Sequence, residues 1–180
     1  MQRNISLFAL TLLAAATTLM AQEKQRVSPH ETVNAKVDGN EMTVVYGRPY
    51  TKDPKSGEAR KVWGTLVPYG KVWRMGADEA TLLTTKEAIQ MGGKTIPAGT
   101  YSLYMLPEES GAKLIVNKQT GQWGTKYDES QDLARVDLQK TNADQAADQF
   151  TIAIDDTKEG GVLKMSWEKT QYSAPFTVSK

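Results

Sequence analysis

The chain has 180 residues, with 22 Lys and Arg against 21 Asp and Glu, one His, no Cys and a formal net charge of +1. A nearly neutral chain without a basic run argues against nucleic acid as a partner, since such binding relies on neutralising phosphates, and it lacks the cationic face of a membrane-surface protein. Without Cys there are no disulfide staples, and a zinc site built from several His or Cys ligands is excluded by inventory.

The first residues point to export. Arg3 precedes an apolar run from Ile5 to Ala16, broken by Ser6 and Thr11; small residues lead to Ala21 and the chain turns polar at Gln22. That is the order of a secretory signal peptide over residues 1–21, with cleavage expected after Ala21 and, as second choice, after Ala16. The apolar core is too short and too interrupted for a membrane span of about 20 residues. The expected product is a soluble periplasmic or secreted chain with no membrane span, in which 21 basic residues balance 21 acidic ones. Its 159 residues suit one domain with one sizeable core. Residues 22–29 read as a flexible lead and residues 30–180 as that domain.

From Glu31 the pattern has a period of two. Val33, Ala35 and Val37 alternate with polar residues, Asp38-Gly39-Asn40 supplies a turn, and Met42, Val44 and Tyr46 resume, so an opening hairpin is expected. Pro49 stops further pairing, and the charged run 51–61 reads as an exposed loop. The stretch from Val62 to Thr81, VWGTLVPYGKVWRMGADEAT, mixes Trp, Gly, Pro and charge in a way that neither a plain strand nor a plain helix needs. It reads as an irregular, tightly packed segment around which the chain is organised. Short strands are then expected at 81–85, 88–91, 94–96, 101–105 and 114–116, followed by a long polar connection, 118–132, that holds Trp123 and Tyr127. Long connections of this kind often carry function. Strands follow at 136–138, 150–154, 163–167 and 172–178, with Asn142–Gln149 as the one helical turn or loop among them. The sum is an all-β chain of roughly ten strands and little helix: a single antiparallel β-sandwich, jelly-roll-like or a partly closed barrel.

Four segments, SPHETVNAKVDGNEMTVVYGRP, VWGTLVPYGKVWRMGADEAT, GGKTIPAGTYSLYMLP and NKQTGQWG, occur in order over residues 28–178. Together they resemble the family called domain of unknown function 2911. The resemblance implies an exported bacterial protein of β-rich fold and carries no activity with it. Asp78 stands where Asn is at least as usual in that family, so no carboxylate role is carried over to the position.

Candidate chemistry is limited. With one His and no Cys there is no Ser/His/acid or Cys/His arrangement in view, and no Gly-x-Ser-x-Gly elbow occurs. His30 reads as a surface or strand-edge residue. Asp128, Glu129 and Asp132 lack the spacing of a calcium loop, so Asp128 and Ser130 read as a turn or helix cap; no metal and no cofactor is expected. Arg74, Asp78 and Glu79 leave two readings open. In one, Arg74 forks onto a carboxylate or loop carbonyls and pins the irregular segment. In the other, these residues and the rings of Trp63, Tyr69, Trp73 and Trp123 form a cleft for a glycan or small polar ligand, with Asn117 as a further contact or a turn former. Trp167 belongs to the core. The leading function is a non-catalytic binding or envelope-associated module. The alternatives are a carboxylate-dependent, glycosidase-like hydrolase using Glu79 and a structural protein-interaction module.

Overall fold

Alternating apolar and polar residues produce strands from end to end in the computed structural model, which describes residues 26–179. The signal peptide expected at residues 1–21 lies outside the described residues. The chain opens with β1 (His30–Val37) and β2 (Asn40–Gly47). They form a hairpin in which Val37 faces Asn40 across Asp38 at φ 49° and Gly39 at φ 91°. Two successive positive φ values match the twist of the flanking strands, and Asp-Gly is a pair that takes them easily. Seven more strands follow: β3 (Ala77–Thr85), β4 (Ile89–Met91), β5 (Lys94–Ile96), β6 (Gly99–Pro107), β7 (Ala112–Asn117), β8 (Asp132–Thr157) and β9 (Gly160–Val178).

These nine strands make one antiparallel sheet in the order β1-β2-β3-β6-β7-β8-β9-β4-β5. β8 is the joint. Its start, Asp132–Leu138, pairs with β7, and from Gln139 onward it pairs with β9. The sheet therefore runs as two groups of strands linked through β8, and both groups contribute to one apolar core. Val44, Leu83, Leu103 and Leu114 meet Ile152, Met165 and Trp167 there, all at most 2% exposed. The sheet does not close into a barrel, since β1 and β5 remain its two ends.

Two expectations change in detail. The runs expected at 136–138 and 150–154 belong to the single strand β8, and those at 163–167 and 172–178 to the single strand β9. Asn142–Gln149, expected as a helical turn or loop, is strand. An eight-residue segment with no apolar stripe cannot offset the cost of nucleating a helix, whereas strand pairing propagates into it from both flanks. Its composition tells in the pairing instead. Asn142 faces Thr170 and Ala147 faces Glu168, so four residues of β8 bulge opposite Lys169 alone, and Glu168 turns to φ 52°. The one described helical turn is the 3-10 turn Glu129–Gln131, capped by Asp128, whose carboxylate accepts from Ser130 N at 3.0 Å.

Candidate functional site

The residues between the charged loop and β3 form no regular strand, because Gly64, Pro68 and Gly70 interrupt any period of two. They are nonetheless tied to β6. Trp73 N donates to Met105 O at 2.7 Å, Met105 N donates back at 2.8 Å, and Gly70 N donates to Pro107 O at 2.8 Å. This seam carries the Trp73 ring onto Trp167, stacked at 5.7 Å, with Phe150 edge-on at 4.9 Å. Trp63 stands edge-on to Trp73, Trp167 and Tyr172. Both indoles thus pack against the core and extend it to one end of the sheet.

Arg74 follows directly. Its Nε donates to Gly76 O and its Nη1 to Asp78 O, each at 3.3 Å. Among the described residues no carboxylate lies within ion-pair distance of it. The guanidinium is held by loop carbonyls rather than by an acid, and these two bonds leave part of its five-donor fork uncommitted. Gly124 seals one side. A Cβ at that position would come within 2.5 Å of Arg74 Cδ and 2.9 Å of Asp78 O, so only Gly allows the two segments to meet.

Asp78 sits at φ 63°, a left-handed conformation that Asp tolerates better than most residues. The turn sends its carboxylate away from Arg74 toward β1, where Asp78 Oδ2 lies 3.2 Å from His30 Nε2. Glu79 points to the same place. Arg26 grips both of its carboxylate oxygens, one through Nη1 and one through Nη2 at 2.9 Å. The hydrogen bond from Arg26 holds the Glu79 carboxyl below the ordinary glutamate value, against a smaller opposing effect of burial. His30 Nε2 also lies 2.8 Å from Arg26 Nη1. One ring nitrogen cannot serve both neighbours. It accepts from Arg26 when the proton is on Nδ1, and donates to Asp78 only when Nε2 carries a proton.

Trp73 and Arg74 line a cavity of about 240 Å³. Tyr50, Arg60, Leu66 and Trp167 complete most of its surface, and Val27 and Ser28 form part of one wall. The residues after Arg26 therefore bound this cavity, while Arg26 itself reaches Glu79 beside it. A second cavity of about 220 Å³ lies against Trp73 and Arg74 too, lined by Val72, Tyr104, Gly124 and Tyr127. Trp123 is 48% exposed and stands opposite Glu79 on an isolated antiparallel bridge, which places the two side chains on one face.

Sequence reasoning placed Arg74, Trp73, Asp78, Glu79 and Trp123 in one neighbourhood, and the structure brings them together there. Trp63 lies beneath them in the aromatic cluster. Tyr69 packs over Gly64 and outside both cavities, and Asn117 is fully buried in a separate hydrogen-bond network with Asp128 and Asp132. Arg26, His30, Tyr50 and Arg60 were missed. Arg26 and His30 fell in or beside a segment read as flexible, and the only signal for them was two adjacent acids at 78 and 79 in need of partners. Among the described residues no group of three or more His, Asp or Glu is arranged to hold a metal ion.

Comparison with known proteins sets this geometry in a family. The family model described as Protein of unknown function (DUF2911) matches residues 28–176. The chain belongs to that family. The match covers every element of the DUF2911 sheet from β1 into the last residues of β9, including the whole Trp73–Arg74 segment. No curated protein and no solved structure matches the chain.

Proposed function

We propose that this DUF2911 chain is an exported, non-catalytic binding module that takes a small polar ligand of glycan type in the Trp73–Arg74 cavity. One observation carries the reading: the Trp73 indole and a guanidinium with uncommitted donors line a single concave site. Ring faces cover C–H surfaces and charged donors bond hydroxyls, which is the division of labour that small polar ligands require. At about 240 Å³ the cavity falls below the roughly 300–1,000 Å³ span of drug-sized ligand pockets, so its occupant is about one ring in size.

The hydrolase alternative draws less support. Arg26 keeps Glu79 ionised, and a general acid must hold a proton near the working pH. The clamp reading has an observation of its own, because both bonds of Arg74 go to carbonyls of its own loop.

The deciding experiment is a thermal-shift screen of the mature chain against monosaccharides, amino sugars and small polar metabolites, run beside Arg74→Met. On the binding reading at least one compound raises Tm. Saturation at 100 times Kd is worth about 2.7 kcal/mol, and Arg74→Met removes the shift while leaving the unliganded Tm nearly unchanged. A clamp gives the opposite pattern: no compound shifts Tm, and Arg74→Met alone lowers it by many degrees.

A further inference from the structure

The cavity has a polar character that its position alone does not explain. Its two charged side chains are Arg60 and Arg74, and no carboxylate lines it. The acids nearest in sequence to Arg74 are drawn elsewhere, Asp78 toward His30 and Glu79 onto Arg26. Asp53, which shares a loop with Arg60, spends its carboxylate on the backbone N–H groups of Lys55 and Ser56. Arg60 donates through Nη2 to Tyr50 O, but its buried Nε has no partner among the described residues. The same holds for the buried Nε1 of Trp167, which also lines the cavity. The site therefore combines two guanidiniums whose forks are only partly used with a lining that holds no carboxylate.

On the reading of this cavity as a binding site, we propose that its ligand bears an oxyanion: a single sugar-sized ring carrying a carboxylate, of which a hexuronic acid is the simplest case. Arg74 and Arg60 hold the carboxylate, since a guanidinium fork matches its two oxygens. The ring lies against Trp73. Arg26 and His30 contribute indirectly. By engaging Asp78 and Glu79 on the flank, they hold those two acids away from Arg74.

The test is isothermal titration of the mature protein with three probes: glucuronate, glucose and inorganic phosphate. The same titrations are repeated on Arg60→Met, Arg74→Met and Arg74→Lys, each checked for Tm. Glucuronate should bind at least 10-fold more tightly than glucose or phosphate, and weaken as salt is raised. Each Arg→Met variant should lose at least 10-fold. Arg74→Lys should keep part of the affinity, because it retains the charge without the fork. If Arg74→Met proves unstable, Arg60→Met still decides the matter. Equal affinity for glucuronate and glucose, unchanged in Arg60→Met, overturns the oxyanion while leaving the cavity as a binding site. Phosphate as tight as glucuronate overturns the ring. No binding of any of the three overturns this proposal, and the neutral compounds of the thermal-shift screen then judge the binding site by themselves.

Discussion

Asn117 has no accessible surface, and its amide is committed on both sides. Nδ2 donates to Asp128 O at 2.9 Å and to Asp132 Oδ1 at 2.8 Å, while Oδ1 accepts from Gln119 N at 2.9 Å. The side chain thus ties the end of β7 to the start of β8 and to the turn between them. Removing it leaves Gln119 N and Asp132 Oδ1, both part-buried, without this partner, while Asp128 O still accepts from Gln131 N, so Asn117→Ala should cost about 1–3 kcal/mol in urea unfolding and leave ligand affinity unchanged. Glu79 behaves differently because its side chain is 42% exposed. Its carboxyl titrates lower in the folded chain than in the unfolded one. The ion pair with Arg26 is therefore fully present above the ordinary glutamate value and is lost as pH falls through the depressed folded one. Glu79→Gln should lower Tm slightly at pH 7, since an exposed pair contributes little, and flatten the acid limb below about pH 4.5 by the same small amount. An unchanged acid limb would show that Arg26 does not hold Glu79 in solution.

At the scale of elements, the irregular segment that precedes β3 works as a wedge. Backbone bonds close its turn at 61–67 and tie it to β6, and two indoles are driven into the aromatic group of Phe150, Trp167 and Tyr172. Trp73→Ala should therefore cost about 3–5 kcal/mol, the usual range for truncating a large packed aromatic. Trp123→Ala makes the contrast, since its ring is half exposed and packs on no other aromatic ring among the described residues. It should change stability by less than about 0.5 kcal/mol. Chemical denaturation of the two variants side by side measures the difference. Similar losses would mean that the loop carrying Trp123 is as firmly packed as the wedge.

For the molecule as a whole, stability without disulfides rests on the single core, and three tyrosines report on it. Burial pushes the phenols of Tyr46, Tyr127 and Tyr172 up to about 12 from an ordinary 10.0. Tyr46 OH is bonded deep in the sheet, accepting from Ile152 N at 2.8 Å and so linking β2 to β8. A phenol whose folded value is raised keeps its full contribution below pH 10 and loses it as pH rises through about 12. The chain should hold a flat stability up to about pH 10 and then unfold cooperatively. Most of the phenolate absorbance should appear together with the loss of the far-ultraviolet β signal. Phenolate forming well before unfolding would place these rings nearer solvent than the fold has them.

Much of this was legible in order of residues. Period-two runs such as Met42, Val44, Tyr46 and Phe150, Ile152, Ile154 dictate strands, because alternate side chains leave opposite faces of a pleat. Asp38-Gly39 and Gly92-Gly93 mark hairpins, since each pair occupies positive φ at little cost. The crowding of Trp73, Arg74, Asp78 and Glu79 was visible as composition. Only the tertiary structure decided that β8 is one continuous strand joining two groups of strands, because pairing partners supplied by β7 and β9 override the helix-like composition of residues 142–149. Only it divided the charges near β3. Arg74 faces a cavity with Arg60, 14 positions earlier in the chain, while Arg26 and His30 engage the acids next to it. A charge's partner is set by distance in space, and the turn at Asp78 that swings two carboxylates away from Arg74 is a property of the folded backbone that no spacing in the sequence records.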